Sequence, residues 1–180
     1  QQKILKSISP LTAKPTLYVA NIKEDDLDNE NENLYLQELK SWANTNKEPI
    51  LSLCTKFEME IVDLTQEEKK EFLGSYGFSS TGLDRLTSST FKLLGLETFF
   101  TAGEKEIKSW TIKKDSFAVD AAGEIHSDIQ RGFIKADVYS LDDLIEYQSE
   151  ENLKNKGKIR QEGKNYIVQD GDIIFFKFNV

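Results

Sequence analysis

The sequence predicts a two-part chain, an α/β segment that gives way from about Thr98 to a small α+β segment. Three observations carry this reading. Two short apolar runs, residues 16–20 and 50–53, flank an amphipathic stretch, which is the pattern of a β-α-β unit with parallel strands. Two further helices with explicit start and stop signals occupy residues 65–95. From Thr98 onward the helical apolar period gives way to short β-rich runs punctuated by turn residues.

Residues 16–20 (TLYVA) are rich in β-branched and aromatic side chains and follow Pro15, so they read as a buried strand ending at Asn21. Over residues 34–44, Tyr35, Leu39 and Trp42 recur at helical spacing. Pro49 opens the second run, which ends at Cys54. In open α/β sheets ligands sit beyond the carboxyl ends of the strands, and this singles out Asn21 and the segment Cys54-Thr55-Lys56. Thr65-Gln66-Glu67-Glu68 is a capping box, in which the threonine oxygen accepts from the N3 amide and the glutamate reaches back to the cap amide. That helix is expected to run to about Leu73 and to stop at Gly74 and Gly77. The next starts near Thr81, places Leu83, Leu86, Thr90 and Leu93 on one stripe and ends at Gly95, a plausible bridge between two lobes.

In the second segment, residues 98–101, 106–112 and 132–138 read as strands. Residues 159–160 and 166–168 flank a turn at Glu162-Gly163, and residues 173–180 follow a turn at Asp170-Gly171. Ser149 caps a short helix closed by Gly157. A mostly β stretch with one or two helices suggests a small module such as a β-grasp.

Composition narrows the function classes. With 23 Lys and Arg against 31 Asp and Glu, the chain carries a net charge of -8 and is not a nonspecific polycation. The charge is uneven: residues 24–32 (EDDLDNENE) hold six acids and no base, whereas residues 154–164 (KNKGKIRQEGK) hold five bases and one acid. One cysteine, Cys54, excludes an internal disulfide, and one histidine, His126, excludes a multi-histidine metal site. No apolar run reaches the roughly 18 residues of a membrane helix. Gln1-Gln2 is not an initiator and no signal peptide follows, so the chain reads as a piece of something longer, with the cytoplasm as its expected compartment.

Three stretches, KPTLYVANIKEDDL, GLDRLTSSTFKLLGLETFFTAGEKEIKSWTI and AAGEIHSDIQRGFIKADV, together with the ending EGKNYIVQDGDIIFFKFNV, resemble the YchF subfamily of Obg-like P-loop NTPases. The resemblance runs from about Leu11 to the end. It implies that residues 1–92 are the last part of a nucleotide-binding domain with a parallel sheet, and that residues 93–180 are a TGS domain of β-grasp fold. It further implies a cytoplasmic nucleoside triphosphatase that associates with ribosomes. No G-x-x-x-x-G-K-[ST] occurs, so the amides and lysine that cradle the β- and γ-phosphates and order Mg²⁺ are absent. Hydrolysis, and any role for Mg²⁺, is therefore expected only together with a phosphate-binding half.

Asn21-Ile22-Lys23-Glu24 aligns with the N-K-x-D base-recognition motif of GTPases, with Ile22 in place of the lysine and Glu24 in place of the aspartate. A longer carboxylate loses the bidentate register on guanine, and adenine has no N1–H or 2-amino group to reward it. An asparagine amide can still read the N6/N7 edge of adenine. The resemblance implies ATP as ligand, with GTP as a second nucleotide, and the Ile22 carbonyl as acceptor for the adenine amino group. Cys54 and Thr55 occupy the matching final base-contacting loop, where backbone amides can touch the purine; Cys54 also reads as an ordinary buried thiol.

The remaining motifs read more plainly. His126-Ser127-Asp128 matches a loop of the TGS module rather than an acid–base pair. Asp170-Gly171-Asp172 reads as a hairpin turn between apolar strands rather than a metal loop, and the acidic run 24–32 as a solvated loop without the glycine and terminal glutamate of a calcium site. Phe175, Phe176 and Phe178 read as core and sheet rather than as a base-stacking platform. Lys154, Lys156, Lys158, Arg160 and Lys164 are the candidates for ribosomal or other RNA contact, which salt would weaken; no DNA or membrane partner is expected. The alternative reading is a non-catalytic TGS-type RNA- or ribosome-binding module.

Overall fold

The computed structural model describes residues 10–27, 29, 32–103 and 106–179, and the chain divides between Leu94 and Gly95 into two compact units. Gln1-Gln2, Val180 and part of the acidic run lie outside the described residues.

In the first unit, β1 (Tyr18–Asn21) and β2 (Ile50–Leu53) pair in parallel, with Tyr18 opposite Ile50 and Asn21 opposite Leu53. The intervening α1 (Leu34–Asn46) starts at Asn33, whose side chain accepts from the Leu36 amide at 3.0 Å, and ends at Lys47 in the left-handed region. Its fully buried residues are Leu36 and Ala43, whereas Tyr35 is 85% exposed. The expected stripe of Tyr35, Leu39 and Trp42 is thus rotated by one position. Both stripes obey the helical period, and packing chooses between them: the Trp42 ring only edges against Tyr18, at 5.0 Å between centroids.

The sequence reading missed α2 (Thr55–Glu60), a single polar-faced turn and a half with no apolar period to announce it. Its Phe57 is 2% exposed and packs with Leu27, Cys54, Ile61 and Leu73, and its ring meets those of Phe72, Tyr76 and Phe78. Burial of one such ring stabilises by about 2–3 kcal/mol. The capping box of α3 (Gln66–Ser75) is present in both directions, with Thr65 N donating to Glu68 Oε2 at 2.8 Å. This backbone donor, with the Thr65 hydroxyl, holds the Glu68 carboxyl below the usual range. The helix continues through Gly74, and the left-handed Gly77 (φ 73°) follows its end. Thr81 and Asp84 cap α4 (Gly82–Leu94), and the Gly82 amide donates to Glu58 Oε1 at 2.7 Å, tying α4 to α2. Leu83, expected on the inner stripe, is 67% exposed.

The second unit is a mixed sheet of five strands, lying in the order residues 107–113, 96–102, 172–178, 133–140 and 160–162. Strands β3 (Leu96–Ala102) and β4 (Ile107–Lys113) form an antiparallel pair, and β7 (Asp172–Phe178) lies parallel to β3. Strand β5 (Phe133–Ser140) runs antiparallel to β7 and to β6 (Arg160–Glu162). Where one or two helices were expected there are four among the described residues: α5 (Ala118–Ile125), α6 (Ser127–Arg131), α7 (Leu141–Tyr147) and α8 (Glu150–Asn155). Helix α5 escaped the periodic reading because its inner face is Ala118, Ala121 and Ala122, all fully buried, and alanine gives little hydropathy contrast. That face joins Phe99, Ile112, Val138, Ile174 and Phe176 in the main core.

Two expectations for this unit are corrected. Residues 166–168 do not form a hairpin strand: Ile167 makes one isolated bridge to Phe117, and β6 pairs with β5 instead. The cause is Asp172, 4% exposed, which accepts from the Tyr166 hydroxyl at 2.7 Å and the Gln169 amide at 2.9 Å and folds that segment back on itself. Asp170-Gly171 is a turn, as expected, with Gly171 at φ 85° and Asp170 Oδ1 accepting from the Thr98 amide, but it joins no hairpin. Of the three late phenylalanines only Phe176 is core; Phe175 is 57% and Phe178 44% exposed. The second face of the sheet is covered in part by α8, whose Leu153 packs with Tyr139 and Ile173. Among the described residues no helix is long and apolar enough to cross a membrane.

Candidate functional site

Asn21 ends β1 and Cys54 follows β2, so the parallel pairing brings the two candidate segments side by side. Asn21, Ile22, Glu24, Cys54, Thr55 and Lys56 line one cleft of about 340 Å³ at the carboxyl edge of the strand pair. Ile22 is anchored there by its amide, which donates to Leu53 O at 2.9 Å.

The asparagine is oriented by Thr55. Its Oδ1 accepts from the Thr55 amide and from the Thr55 hydroxyl, both at 3.1 Å. A backbone N–H can only donate, so the atom facing Thr55 is the oxygen and the Nδ2 amino group points elsewhere. This corrects two expectations. Asn21 cannot offer donor and acceptor together to an adenine edge, because its acceptor is in use. Nor is the Thr55 amide free for a purine.

Glu24 and Lys56 form a second pair across the cleft, Nζ to Oε2 at 2.7 Å, and Lys56 also approaches Glu60 at 3.7 Å. The hydrogen bond it donates to Glu24 raises the Lys56 ammonium above its ordinary value. Glu24 is therefore not a bare carboxylate, and the described part of the acidic run is not merely solvated: Asp26 also accepts from Asn33 Nδ2 at 3.0 Å. Cys54 is 3% exposed, and its Sγ caps α2 by accepting from the Phe57 amide at 3.5 Å. The thiol is a structural cap at the floor of the cleft. Sequence reasoning overlooked the Asn21–Thr55 and Glu24–Lys56 pairs, although a hydroxyl and a cation directly after a strand end were visible as possible partners.

The five basic candidates divide. Lys154, Lys156 and Lys164 are exposed and without an ion pair among the described residues. Lys158 donates to Asp143 at 3.0 Å, an interaction that lowers the Asp143 carboxyl and raises the lysine. Arg160 lies 3.4 Å from Asp172 and donates to the Tyr166 hydroxyl at 3.0 Å. Burial, and the bond to Asp172, push the Tyr166 phenol up to about 12. His126 is a helix cap, its Nδ1 accepting from the Asp128 amide at 3.1 Å. Among the described residues no group of three or more His, Cys, Asp or Glu side chains is placed to hold a metal ion, so no step through Mg²⁺ is assigned to this chain.

A parallel β-α-β edge with an asparagine-tipped strand, followed by a mixed-sheet unit, defines a two-part α/β protein. Residues 96–179 match the family model YchF-GTPase_C, described as a protein of unknown function (DUF933). Over all of its 180 residues the chain is 44% identical to the ribosome-binding ATPase YchF of Bacillus subtilis (strain 168), of which it covers 49%. It is 42% identical over 180 residues to the protein of the same name from Escherichia coli O157:H7, again covering 49% of it. The structure of the Schizosaccharomyces pombe YchF GTPase superposes with a TM-score of 0.82 at 32% identity, over 97% of this chain and 46% of that one. A GTP-binding protein from Pyrococcus horikoshii OT3, at 18% identity and a TM-score of 0.60, over 92% of this chain and 46% of that one, shares the fold. The chain is similar to YchF proteins over its whole length, and it spans about half the length of the curated relatives it matches.

Proposed function

We propose that this chain is the carboxy-terminal portion of a YchF-type ATPase, with the purine-recognition edge in residues 1–92 and a TGS domain of β-grasp fold in residues 93–180. The carrying observation is the Asn21 carboxamide, fixed by Thr55 so that only its amino group is free in the cleft. In this reading Nδ2 donates to purine N7, and the Ile22 carbonyl accepts from the adenine 6-amino group. N7 is common to adenine and guanine, so preference falls to Glu24. Guanine needs a free carboxylate for its N1–H and 2-amino donors, whereas Glu24 is already held by Lys56. ATP is thus the primary nucleotide and GTP a weaker one. Hydrolysis and Mg²⁺ belong to the phosphate-binding half. The TGS unit carries the association with the ribosome, as the names of the bacterial relatives suggest, and the protein works in the cytoplasm.

The test is Asn21→Asp beside Asn21→Ala in protein that includes the phosphate-binding half. Asn21→Asp keeps the acceptor for Thr55 but replaces the donor aimed at N7, so both variants lose ATP affinity about fivefold or more, the worth of one hydrogen bond. ATP affinity unchanged in both, with unaltered thermal unfolding, would remove the base-binding assignment.

A further inference from the structure

Strand β4 is one end of the five-stranded sheet and, among the described residues, pairs only with β3. Its ladder with β3 fixes which backbone groups are left over. The Lys114 amide donates to Gly95 O at 2.7 Å and the Gly103 amide to Glu106 O at 3.0 Å, so both ends of the register are bonded pairs. Bonded and non-bonded pairs alternate along an antiparallel ladder. Lys108, Trp110 and Ile112 are therefore bonded to β3, whereas Ile107, Ser109, Thr111 and Lys113 turn N–H and C=O outward. All four are exposed, and the register runs from Leu96–Lys113 to Ala102–Ile107 without a bulge. The strand holds neither proline nor glycine, and its outward row is about 20 Å long. An edge so long and regular is a template for another strand.

The side chains say which strand fits. Residues 107–113 read IKSWTIK, a string that complements its own reverse. Set antiparallel to a second copy with Trp110 opposite Trp110, each lysine faces an isoleucine of the other copy and Ser109 faces Thr111. Outward-turned residues then meet outward-turned residues, so every free N–H and C=O of the row finds a partner. Just beyond the strand ends, exposed Glu106 comes opposite exposed Lys114, once on each side of the dyad. The alternatives that keep the outward groups facing slide the register. Centred on Thr111, it sets Lys108 against Lys114; centred on Ser109, it sets Glu106 against the buried Ile112. Both lose the Glu106–Lys114 pairs and part of the ladder. Lysines guard an edge against strands in general, but this sequence meets them with isoleucine when it pairs with itself. The opposite edge of the sheet, β6, has only three residues, so the pairing closes as a twofold dimer and does not continue into a fibre.

We propose that β4 is a dimerisation edge, at which a second copy of this chain adds its own β4 antiparallel, with Trp110 on the twofold axis. The pairing concerns the second unit alone and does not depend on the nucleotide reading.

The experiment is sedimentation equilibrium of the 180-residue chain from about 10 μM to about 1 mM, the range of a small and weak interface. The chain passes from monomer to dimer across that range. Hydrogen exchange at the two extremes separates the rows: the amides of Ile107, Ser109, Thr111 and Lys113 slow on dimerisation, while those of Lys108, Trp110 and Ile112 are slow throughout. Lys114→Glu sets a carboxylate opposite Glu106 at both ends and weakens the dimer about 2- to 30-fold, the worth of two cross-strand charge pairs. Adding Glu106→Lys restores it. Thr111→Pro removes an outward N–H without touching a bond to β3, and abolishes the dimer. Unchanged thermal unfolding of that variant separates lost pairing from lost fold, and the charge exchange decides the matter if the proline unfolds the sheet. A chain still monomeric at about 1 mM, a dimer indifferent to both Lys114→Glu and Thr111→Pro, or oligomers that keep growing with concentration would overturn the proposal. A dimer lost on Thr111→Pro but unmoved by the charge exchange would overturn the register.

Discussion

Gly132 sits where α6 ends and β5 begins, at φ −86°, a conformation open to any residue. Its constraint is space. A β-carbon there would lie 2.8 Å from the carbonyl carbon of Asn179 and 3.2 Å from its nitrogen, and closer still to its carbonyl oxygen. These are backbone atoms, held in place because the Asn179 amide donates to Gly132 O at 2.9 Å. The adjoining pair is Phe133 opposite Phe178, and Phe133 is 4% exposed in the main core. Gly132→Ala must therefore peel the end of β7 away from β5. The lost hydrogen bond costs about 1 kcal/mol and the overpacking about 1–3 kcal/mol, for a total of about 2–4 kcal/mol. At about 4–8 °C per kcal/mol for a unit of this size, the melting temperature falls by roughly 8–32 °C. Trp110 lies in this unit and Trp42 in the other, so fluorescence-detected melting in a Trp42→Phe background follows the second unit alone. Gly163→Ala is the control, since a β-carbon there meets nothing within 4 Å. A Gly132→Ala melting point within about 2 °C of the parent would refute the close-approach argument.

Two further predictions concern charge. The folded Tyr166 phenol is raised from 10.0 to about 12, so its contribution is complete below pH 10 and is lost as the pH rises toward 12. Ionisation would set a phenolate against the buried Asp172 carboxylate, and Tyr166→Phe flattens this alkaline fall in the urea midpoint; identical parent and variant curves between those pH values would exclude the linkage. In protein that includes the phosphate-binding half, Ile22→Lys with Glu24→Asp restores the lysine and the shorter carboxylate of the N-K-x-D motif. That double change shifts the ratio of GTP to ATP affinity toward GTP by about 5- to 150-fold in competition binding, the worth of one bidentate base contact; an unmoved ratio argues against the base-reading role of the Asn21–Glu24 segment.

Much of the local architecture was legible in the residues themselves. The strand ends at Asn21 and Leu53, the capping box at Thr65, the Ser149 cap and the glycine turns follow from short-range sterics and hydrogen bonding, which need no distant partner. So did the parallel strand pair, because a helix between two buried runs admits few alternatives. What lay beyond local reading shares one cause, contact between residues far apart in sequence. Leu36 rather than Tyr35 faces inward because packing chose between two stripes of equal period. The Tyr166 segment fails to form a hairpin because Asp172 captures it.

The candidate site follows the same division. Sequence alone placed Asn21 and Thr55 at neighbouring strand ends, since parallel strands bring their carboxyl termini to one edge. Only the tertiary structure spent the Asn21 oxygen on Thr55 and neutralised Glu24 with Lys56. A hydrogen bond needs atoms within about 3 Å, and chain order sets no such distance between residues more than thirty positions apart.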